Sequence, residues 1–174
     1  KIIDKQNNNE FKKFKIDKCY SSPLIRCLET AEIIFKKKDI ICNDYLKEID
    51  YGKAEGLNLK VLKQKYPYVI KMWSKGLDPK FPNGESSSLA FNRLKRFVKT
   101  ELNSKKIRYN KNIIIFTHNI LLRCLIGHQF MINKKDWFKI NISYFDLLEF
   151  KLKKNVLSTN IDRNKYLSIF KNLF

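Results

Sequence analysis

The chain has 174 residues, a formal charge of +19, and 44% hydrophobic and 13% aromatic residues. A chain of this length can bury roughly 70% of the surface that its unfolded form exposes, so we expect one domain over residues 1–174. No apolar run reaches the ~18 residues of a membrane-spanning helix, and the charged, Asn-rich start does not resemble a secretory signal. The sequence therefore predicts a soluble, cytoplasmic protein with no membrane partner.

The positive charge admits two interpretations. A basic surface can bind nucleic acid, because covering phosphates releases counterions. However, only six of the 36 basic residues are Arg, and Lys, Asn, Ile and Phe, which dominate the chain, can all be encoded by A and T alone. The lysines are also scattered rather than gathered in one stripe. We favour a composition bias over selection for DNA binding and expect no specific nucleic-acid partner.

The first half of the chain predicts a strand, a turn and a helix in direct succession. Phe11 to Lys18 predicts the end of a short helix, and a strand follows it directly. Apolar residues then recur at positions 24, 28, 31 and 35, which predicts a helix from about Pro23 to Lys37. Asp39 to Cys42 is a second short apolar run, and Tyr45 to Tyr51 leads into a loop.

The middle of the chain predicts two helical regions separated by an irregular loop. Asn58 can cap a helix that Pro67 ends or restarts, and Leu77 to Glu85 holds two prolines and one glycine, which predicts a surface loop. Ser86 then caps a long amphipathic helix. We expect one face of this helix to carry Leu89, Leu94, Phe97, Val98 and Leu102.

The last third repeats the succession of strand, turn and helix. Asn112 to Thr117 reads as a strand buried on both faces, and Ile120 to Ile126 has helical composition. Ser143 to Leu152 and Asn155 to Thr159 predict two further strands, and an apolar tail follows over 167–174. This alternation predicts an α/β fold, a three-layer sandwich with a mostly parallel sheet that binds ligands outside the carboxyl ends of its strands.

Two side chains lie where such a sheet binds ligands. Arg26 follows the first strand in the first turn of a helix, where backbone N–H groups and the helix dipole favour an anion and a guanidinium adds bidentate recognition. His118 follows the apolar strand at the matching position, and Asn119 starts the next helix, so the imidazole should project into the same cleft. The competing interpretations are an exposed arginine and a core histidine bonded to a carbonyl group.

Other polar groups offer weaker signals. Glu48 lies in a half-apolar context that could raise its pKa, as a general acid requires, but Asp50 and Glu55 are competitors.

The four cysteines, in apolar surroundings and without a C-x-x-C motif, predict reduced core thiols. His128 reads as structural or exposed. We expect no metal site, because His118, His128 and Cys124 lack the spacing of one.

Four blocks of the sequence, taken together, indicate a protein family much more specifically than any one of them does. Ser21 to Ala31 resembles the S-S-P-L-x-R-x-x-x-T-A signature of the phosphoglycerate-mutase-like histidine phosphatases. Leu46 to Gly56 is similar to their L-x-E-I-x-x-G-x-x-E-G segment, Phe81 to Ser86 to their P-x-G-E-S loop, and Ile113 to Leu125 to the strand and helix around their second histidine. The blocks occur in the family's order and cover about Ile16 to Gly127.

The resemblance implies phosphomonoester hydrolysis on a small soluble metabolite through a phosphohistidine intermediate. It implies that Arg26 grips the phosphoryl oxygens, His118 stabilises charge on the transferring group, and Glu48 protonates the leaving oxygen, with no metal or organic cofactor. Asn119, where glycine is commonest in the family, can offer its backbone N–H to the phosphate while its side chain narrows the site. A phosphoglycerate mutase, a fructose-2,6-bisphosphatase-like enzyme and an inactive phosphate-binding module remain alternatives.

One part of the family pattern does not occur. The nucleophilic histidine of the family lies in an R-H-G motif at the end of its first strand, and these 174 residues contain no R-H-G. Neither His118 nor His128 can replace it. We therefore expect this chain to be a domain truncated at its N-terminal side, with its nucleophile in a preceding segment, and to be inactive alone.

Overall fold

The computed structural model describes residues 15–35, 39–102, 111–143, 146–153 and 156–159. Strands and helices alternate along these ranges, as the sequence predicts. The strands are β1 (Lys18–Ser21), β2 (Ile40–Cys42), β3 (Ile113–Phe116), β4 (Lys151–Lys153) and β5 (Val156–Ser158). The α-helices are α1 (Ile25–Phe35), α2 (Leu59–Lys65), α3 (Pro67–Ser74), α4 (Ser87–Glu101) and α5 (Asn119–Gln129). Short 3₁₀ turns lie at Asp44–Leu46, Gly52–Ala54 and Lys134–Lys139.

The first three strands form a parallel sheet in the order β2-β1-β3. Ser21 at the end of β1 pairs with Cys42 of β2 and with Phe116 of β3, so the carboxyl ends of all three strands lie level. This confirms the predicted α/β fold with a mostly parallel sheet. It also places the loops after β1 and β3 side by side.

Helices pack on both faces of this sheet, because successive side chains of a strand point to opposite sides. Cys19 and Ile114 pack with Ala31 of α1 on one face. On the other face Tyr20 packs edge-to-face against Phe97 of α4, with 5.2 Å between ring centroids. The larger hydrophobic cluster on this side also includes residues of α5. The result is a three-layer arrangement of helix, sheet and helix.

Helix boundaries follow the predicted capping residues. Asn58 Oδ1 accepts a hydrogen bond from Val61 N–H, and Ser86 Oγ accepts one from Leu89 N–H. Pro67 occupies the first turn of α3, so it restarts the helical path rather than ending it. The predicted helix from Pro23 starts later, at Ile25, and the predicted helix from Ile120 extends over Asn119–Gln129.

Four predictions from periodicity and composition need correction. Leu89 is 43% exposed, because it lies about 140° around α4 from Leu94, and Phe91 takes its place in the core. Cys42 is exposed rather than a core thiol, whereas the other three cysteines are buried. The loop of residues 77–85 is not wholly at the surface, since Phe81 is buried.

The fourth correction concerns the C-terminal hairpin. Its strands pair in antiparallel fashion, as Leu152 with Leu157, but β4 starts only at Lys151 and not at Ser143. The predicted helix end at Phe11 to Lys18 falls partly outside the described residues, and Lys18 itself starts β1. The apolar tail over 167–174 lies outside them as well.

Candidate functional site

Arg26 and His118 meet at the carboxyl end of the sheet. Arg26 lies in the first turn of α1 just after β1, and His118 follows β3 as the N-terminal cap of α5. Because β1 and β3 are neighbours, these two positions are adjacent, and Arg26 Nε donates a hydrogen bond to His118 Nδ1 at 3.2 Å. Arg26 itself is exposed, so its guanidinium remains accessible to an anion. The structure thus brings together the two residues that the sequence predicted to share a cleft.

His118 is held as a neutral imidazole. Since Nδ1 accepts from Arg26, the ring proton lies on Nε2, which is 2.8 Å from Ser22 Oγ and 3.5 Å from Cys27 Sγ. Burial, assisted by the charges of Arg26 and Arg93, lowers the pKa of His118 to about 4. At neutral pH His118 therefore acts as a hydrogen-bond donor through Nε2 and not as a cation.

The buried state of His118 predicts acid-labile folding. The pKa of His118 is about 4 in the folded protein against 6.5 for an unperturbed histidine, so the unfolded chain binds the extra proton first as the pH falls. The contribution of the neutral, buried His118 to the free energy of unfolding is complete above pH 6.5 and is lost as the pH falls toward 4. We expect the free energy of unfolding to fall by about 3 kcal/mol over this window through His118 alone.

Urea unfolding of the wild type and of His118→Gln at pH 7.5 and pH 4.5 measures this effect. Burial also raises the pKa of Glu48, but Glu48 is present in both proteins, so the difference between their pH profiles isolates His118. The exposed His128 is the matched control, and His128→Gln should keep the wild-type pH profile. Equal pH dependence in the wild type and in His118→Gln would contradict the assignment.

Glu48 lies within the electrostatic reach of Arg26 and Arg93. Its Oε1 accepts a hydrogen bond from Ile49 N–H at 3.0 Å, and Ile120 N–H, in the first turn of α5, also stabilises its ionised form. Burial nevertheless dominates and raises the pKa of Glu48, against these N–H groups and the charge of Arg26. A raised pKa keeps a carboxyl group protonated at higher pH, as a proton donor to a leaving group requires.

The competing carboxylates are in more polar settings. Asp50 and Glu55 are both exposed, and Asp50 Oδ1 accepts a hydrogen bond from Gly52 N–H at 2.7 Å. Asp50 is therefore engaged in shaping the backbone turn that follows Glu48. Burial thus favours Glu48 over both competitors as a general acid, although its role stays a prediction.

Asn119 begins α5 beside these groups, and its side chain is turned to a neighbouring segment. Asn119 Nδ2 donates to Ile142 O at 3.1 Å, while its Oδ1 is buried and has no hydrogen-bond partner among the described residues. His118, the cap residue, offers no side-chain hydrogen bond to the helix. The N-terminal N–H groups of an 11-residue helix next to Arg26 form a suitable environment for an anion.

The sequence pattern described as "Histidine phosphatase superfamily (branch 1)" matches residues 5–160 of the chain. The chain belongs to the histidine phosphatase superfamily. A phosphoserine phosphatase 1 from Hydrogenobacter thermophilus is 30% identical over 121 residues, covering 67% of this chain and 55% of that protein. The chain therefore spans just over half the length of that relative.

Two further relatives extend the comparison. A 2,3-bisphosphoglycerate-dependent phosphoglycerate mutase from Buchnera aphidicola is 29% identical over 174 residues, covering 82% of this chain and 73% of that protein. The solved structure of a phosphoserine phosphatase variant from Entamoeba histolytica in complex with phosphoserine has a TM-score of 0.68 and 26% identity. The match covers 90% of this chain and 81% of the Entamoeba histolytica chain. The phosphoglycerate-mutase-like fold and the family predicted from the four sequence blocks are thus confirmed.

Sequence reasoning missed several groups around this site. Ser22 and Cys27 lie in a recognised block, yet no signal indicated that their side chains would contact the imidazole. Arg123 is partly buried, with Nη1 donating to Phe138 O and Nε lacking a hydrogen-bond partner within the described ranges. Arg93 of α4 bonds the backbone of the segment that carries Glu48. Its only sequence signal was that arginine is rare in this chain.

The surroundings of the site are otherwise structural. His128 is exposed, and its ring lies 4.8 Å from that of Phe91, in agreement with its predicted structural or exposed position. In the ranges that the structure describes, no group of three or more His, Cys, Asp or Glu side chains could hold a metal ion. Over the same residues, no helix has the length and apolar character that crossing a membrane demands.

Proposed function

We propose that the protein containing this chain hydrolyses small phosphomonoesters through a phosphohistidine intermediate. The observation that carries this proposal is the hydrogen bond from Arg26 Nε to His118 Nδ1, 3.2 Å long, beside the buried carboxyl group of Glu48. A cation, a neutral imidazole and a carboxyl group of raised pKa are thus grouped around the N-terminus of α5, which supports the proposal. Catalysis of phosphoryl transfer rests mainly on positioning and electrostatics, which these groups can supply without a metal or organic cofactor.

Each residue has a defined task in this proposal. Arg26 and the backbone N–H of Asn119 bind the phosphoryl oxygens. His118 then directs its Nε2–H hydrogen bond to them in place of Ser22 Oγ, which lies 2.8 Å from Nε2 in the unliganded chain. The P–O bond to the substrate breaks as a histidine nitrogen bonds to phosphorus, and Glu48 gives its proton to the departing oxygen. Water then attacks the phosphohistidine, and ionised Glu48 takes up a proton from it.

The attacking histidine is that of the family's R-H-G motif, which the 174 residues do not contain. His118 is unsuited because its Nδ1 lone pair accepts from Arg26 Nε and its Nε2 carries the ring proton, so neither nitrogen has a free lone pair for attack on phosphorus. His128 is ten residues further along α5, roughly 15 Å away at 1.5 Å per residue. The proposal therefore concerns the complete gene product rather than this chain alone.

A mutase is the second candidate. The similarity to 2,3-bisphosphoglycerate-dependent phosphoglycerate mutases extends over 82% of the chain for the Buchnera aphidicola protein. The two activities share the phosphohistidine and differ in the acceptor, which is water in one case and a substrate hydroxyl group in the other. The length of chain between Glu55 and Pro82 is short, which favours the phosphatase.

Assays on the complete gene product separate these candidates. Phosphate release from O-phosphoserine and from 3-phosphoglycerate measures hydrolysis, and conversion of 3-phosphoglycerate primed with 2,3-bisphosphoglycerate measures mutase activity. Acid-labile, base-stable phosphoenzyme is expected with either activity. We expect phosphate release to exceed isomerisation. Faster isomerisation would establish the mutase, and vanadate binding without either activity would establish an inactive phosphate-binding module.

A further inference from the structure

Arg93 bonds almost the whole backbone segment that leads to Glu48. It projects from the middle of α4, and its Nη1 donates to Tyr45 O at 2.9 Å and to Lys47 O at 2.8 Å. Its Nη2 donates to Glu48 O at 3.1 Å. Nη1 also lies 3.4 Å from Asp44 O. Carbonyl groups of an irregular segment need donors when they are partly buried, and one planar guanidinium bonds four of them here.

Glu85 completes this contact from the loop before α4. It pairs with Arg93 in bidentate fashion, at 3.1 Å from Nε to Oε1 and 2.9 Å from Nη2 to Oε2. The two side chains are only 17% and 23% exposed, so the pair is shielded from solvent. Hydrogen bonds from Arg93 and from the backbone of Asp50 outweigh burial and lower the pKa of Glu85. The carboxylate thus stays ionised and keeps the pair closed.

Glu85 also holds the chain on the far side of Glu48. Its Oε2 accepts from Asp50 N–H at 3.1 Å, and its own N–H donates to Asp50 O at 2.7 Å. The two backbones are in close contact just beyond, because a Cβ on Gly84 would lie 2.4 Å from Asp50 O and one on Gly52 2.2 Å from Pro82 O. The segment is therefore fixed immediately before and after Glu48.

We infer that Arg93, paired with Glu85, is the positioning residue that fixes Glu48 for proton donation to the leaving group. This inference rests on the proposed function. Arg93 does not act on the phosphoryl group, and its effect passes through the backbone of residues 45–50. Lysine cannot replace it, because an ammonium group lacks the planar fork that bonds a carboxylate and several carbonyl groups at once.

Leaving-group dependence tests this inference. An alkyl phosphate such as O-phosphoserine expels a basic alkoxide and needs a proton donor, whereas p-nitrophenyl phosphate expels a weakly basic phenolate and does not. In the complete gene product, we expect Arg93→Lys and Glu85→Gln to lower kcat/KM for the alkyl ester by roughly 10- to 100-fold, part of the full effect of a general acid. For p-nitrophenyl phosphate the expected loss is less than about 3-fold.

A double variant and a matched control sharpen the result. In the Glu48→Gln background, Arg93→Lys should cause no further loss on the alkyl ester, because residues that act through one group are not additive. The control is Arg96→Lys, an exposed arginine on the same helix, which should keep wild-type values for both substrates. If Arg93→Lys does not fold by circular dichroism, Glu85→Gln, which preserves the side-chain shape, carries the test.

The outcomes distinguish this inference from the proposed function. Equal losses on both substrates, or no loss on either, would overturn the positioning role of Arg93. If Glu48→Gln itself shows no leaving-group dependence, the acid assignment fails, and the positioning role fails with it. Absence of phosphate release by the wild-type gene product would refute the proposed function before any variant is compared.

Discussion

Glu48→Gln is expected to lower kcat/KM for an alkyl phosphomonoester by roughly 10²- to 10⁴-fold, the usual contribution of a positioned general acid. Glutamine keeps the shape of the side chain and can still bond the N–H groups of Ile49 and Ile120, but it has no proton to give. The loss should therefore appear in the rate of P–O cleavage and hardly in phosphate affinity. Steady-state kinetics with O-phosphoserine and p-nitrophenyl phosphate measure it.

The pH profile adds an independent readout. Burial raises the pKa of Glu48, and the protonated form is the active one, so kcat/KM for the alkyl ester should fall as the pH rises through that raised pKa. This fall should be missing in Glu48→Gln. The matched control is Glu55→Gln, which changes an exposed carboxylate and should leave the profile intact. A small loss in Glu48→Gln with a large one in Asp50→Asn would transfer the role to Asp50.

Arg26, Glu48 and His118 could be predicted from the sequence because their position depends on local pattern. Arg26 and His118 each follow a strand directly and precede or begin a helix, and parallel neighbouring strands bring their carboxyl ends together. Hydrophobic periodicity is enough to infer this arrangement. Glu48 could be added as a candidate because its block stands at the expected place in the family's order of motifs.

The contacts of Arg93 and Glu85 could not be predicted in this way. Arg93 joins α4 to a segment 45 to 49 residues earlier, and Glu85 joins the loop before α4 to Asp50, 35 residues earlier. The segment that they contact has no regular periodicity that would reveal its path. The lysine-rich composition did carry one hint. Arginine is scarce in it, and three of its arginines, at 26, 93 and 123, bond an imidazole, a carboxylate or backbone carbonyl groups. A planar fork at such positions is not exchangeable for lysine.

The protonation state of His118 also lay beyond the sequence. Its pKa depends on how deeply the imidazole is buried and on which groups reach its two nitrogens. Ser22 and Cys27, which contact it across the sheet, are 96 and 91 residues away in sequence. The residue type alone indicated a side chain that ordinarily titrates near neutral pH. Only tertiary packing makes His118 a neutral hydrogen-bond donor.

Arg26→Ala is the change with the largest expected effect on turnover. A guanidinium that contacts the transferring phosphoryl group is worth roughly 10³- to 10⁵-fold in rate in related chemistry, because its bonds strengthen as charge spreads over the phosphoryl oxygens. We expect a loss of kcat/KM on the order of 10³-fold or more on both O-phosphoserine and p-nitrophenyl phosphate. Phosphate bears the same charge in both esters, so the leaving group should not matter, in contrast to Glu48→Gln.

The same substitution should also change His118. The Arg26 charge is the second cause, after burial, of the low pKa of His118, so its removal should raise that pKa from about 4 toward the ordinary value. NMR titration of the His118 ring in wild type, Arg26→Ala and the exposed control Arg96→Ala measures this without any turnover. Arg26→Lys should retain part of the charge effect while losing bidentate contact with phosphate. Unchanged kinetics together with an unchanged His118 titration would remove Arg26 from the site, whereas a raised pKa with unchanged kinetics would limit Arg26 to holding the imidazole.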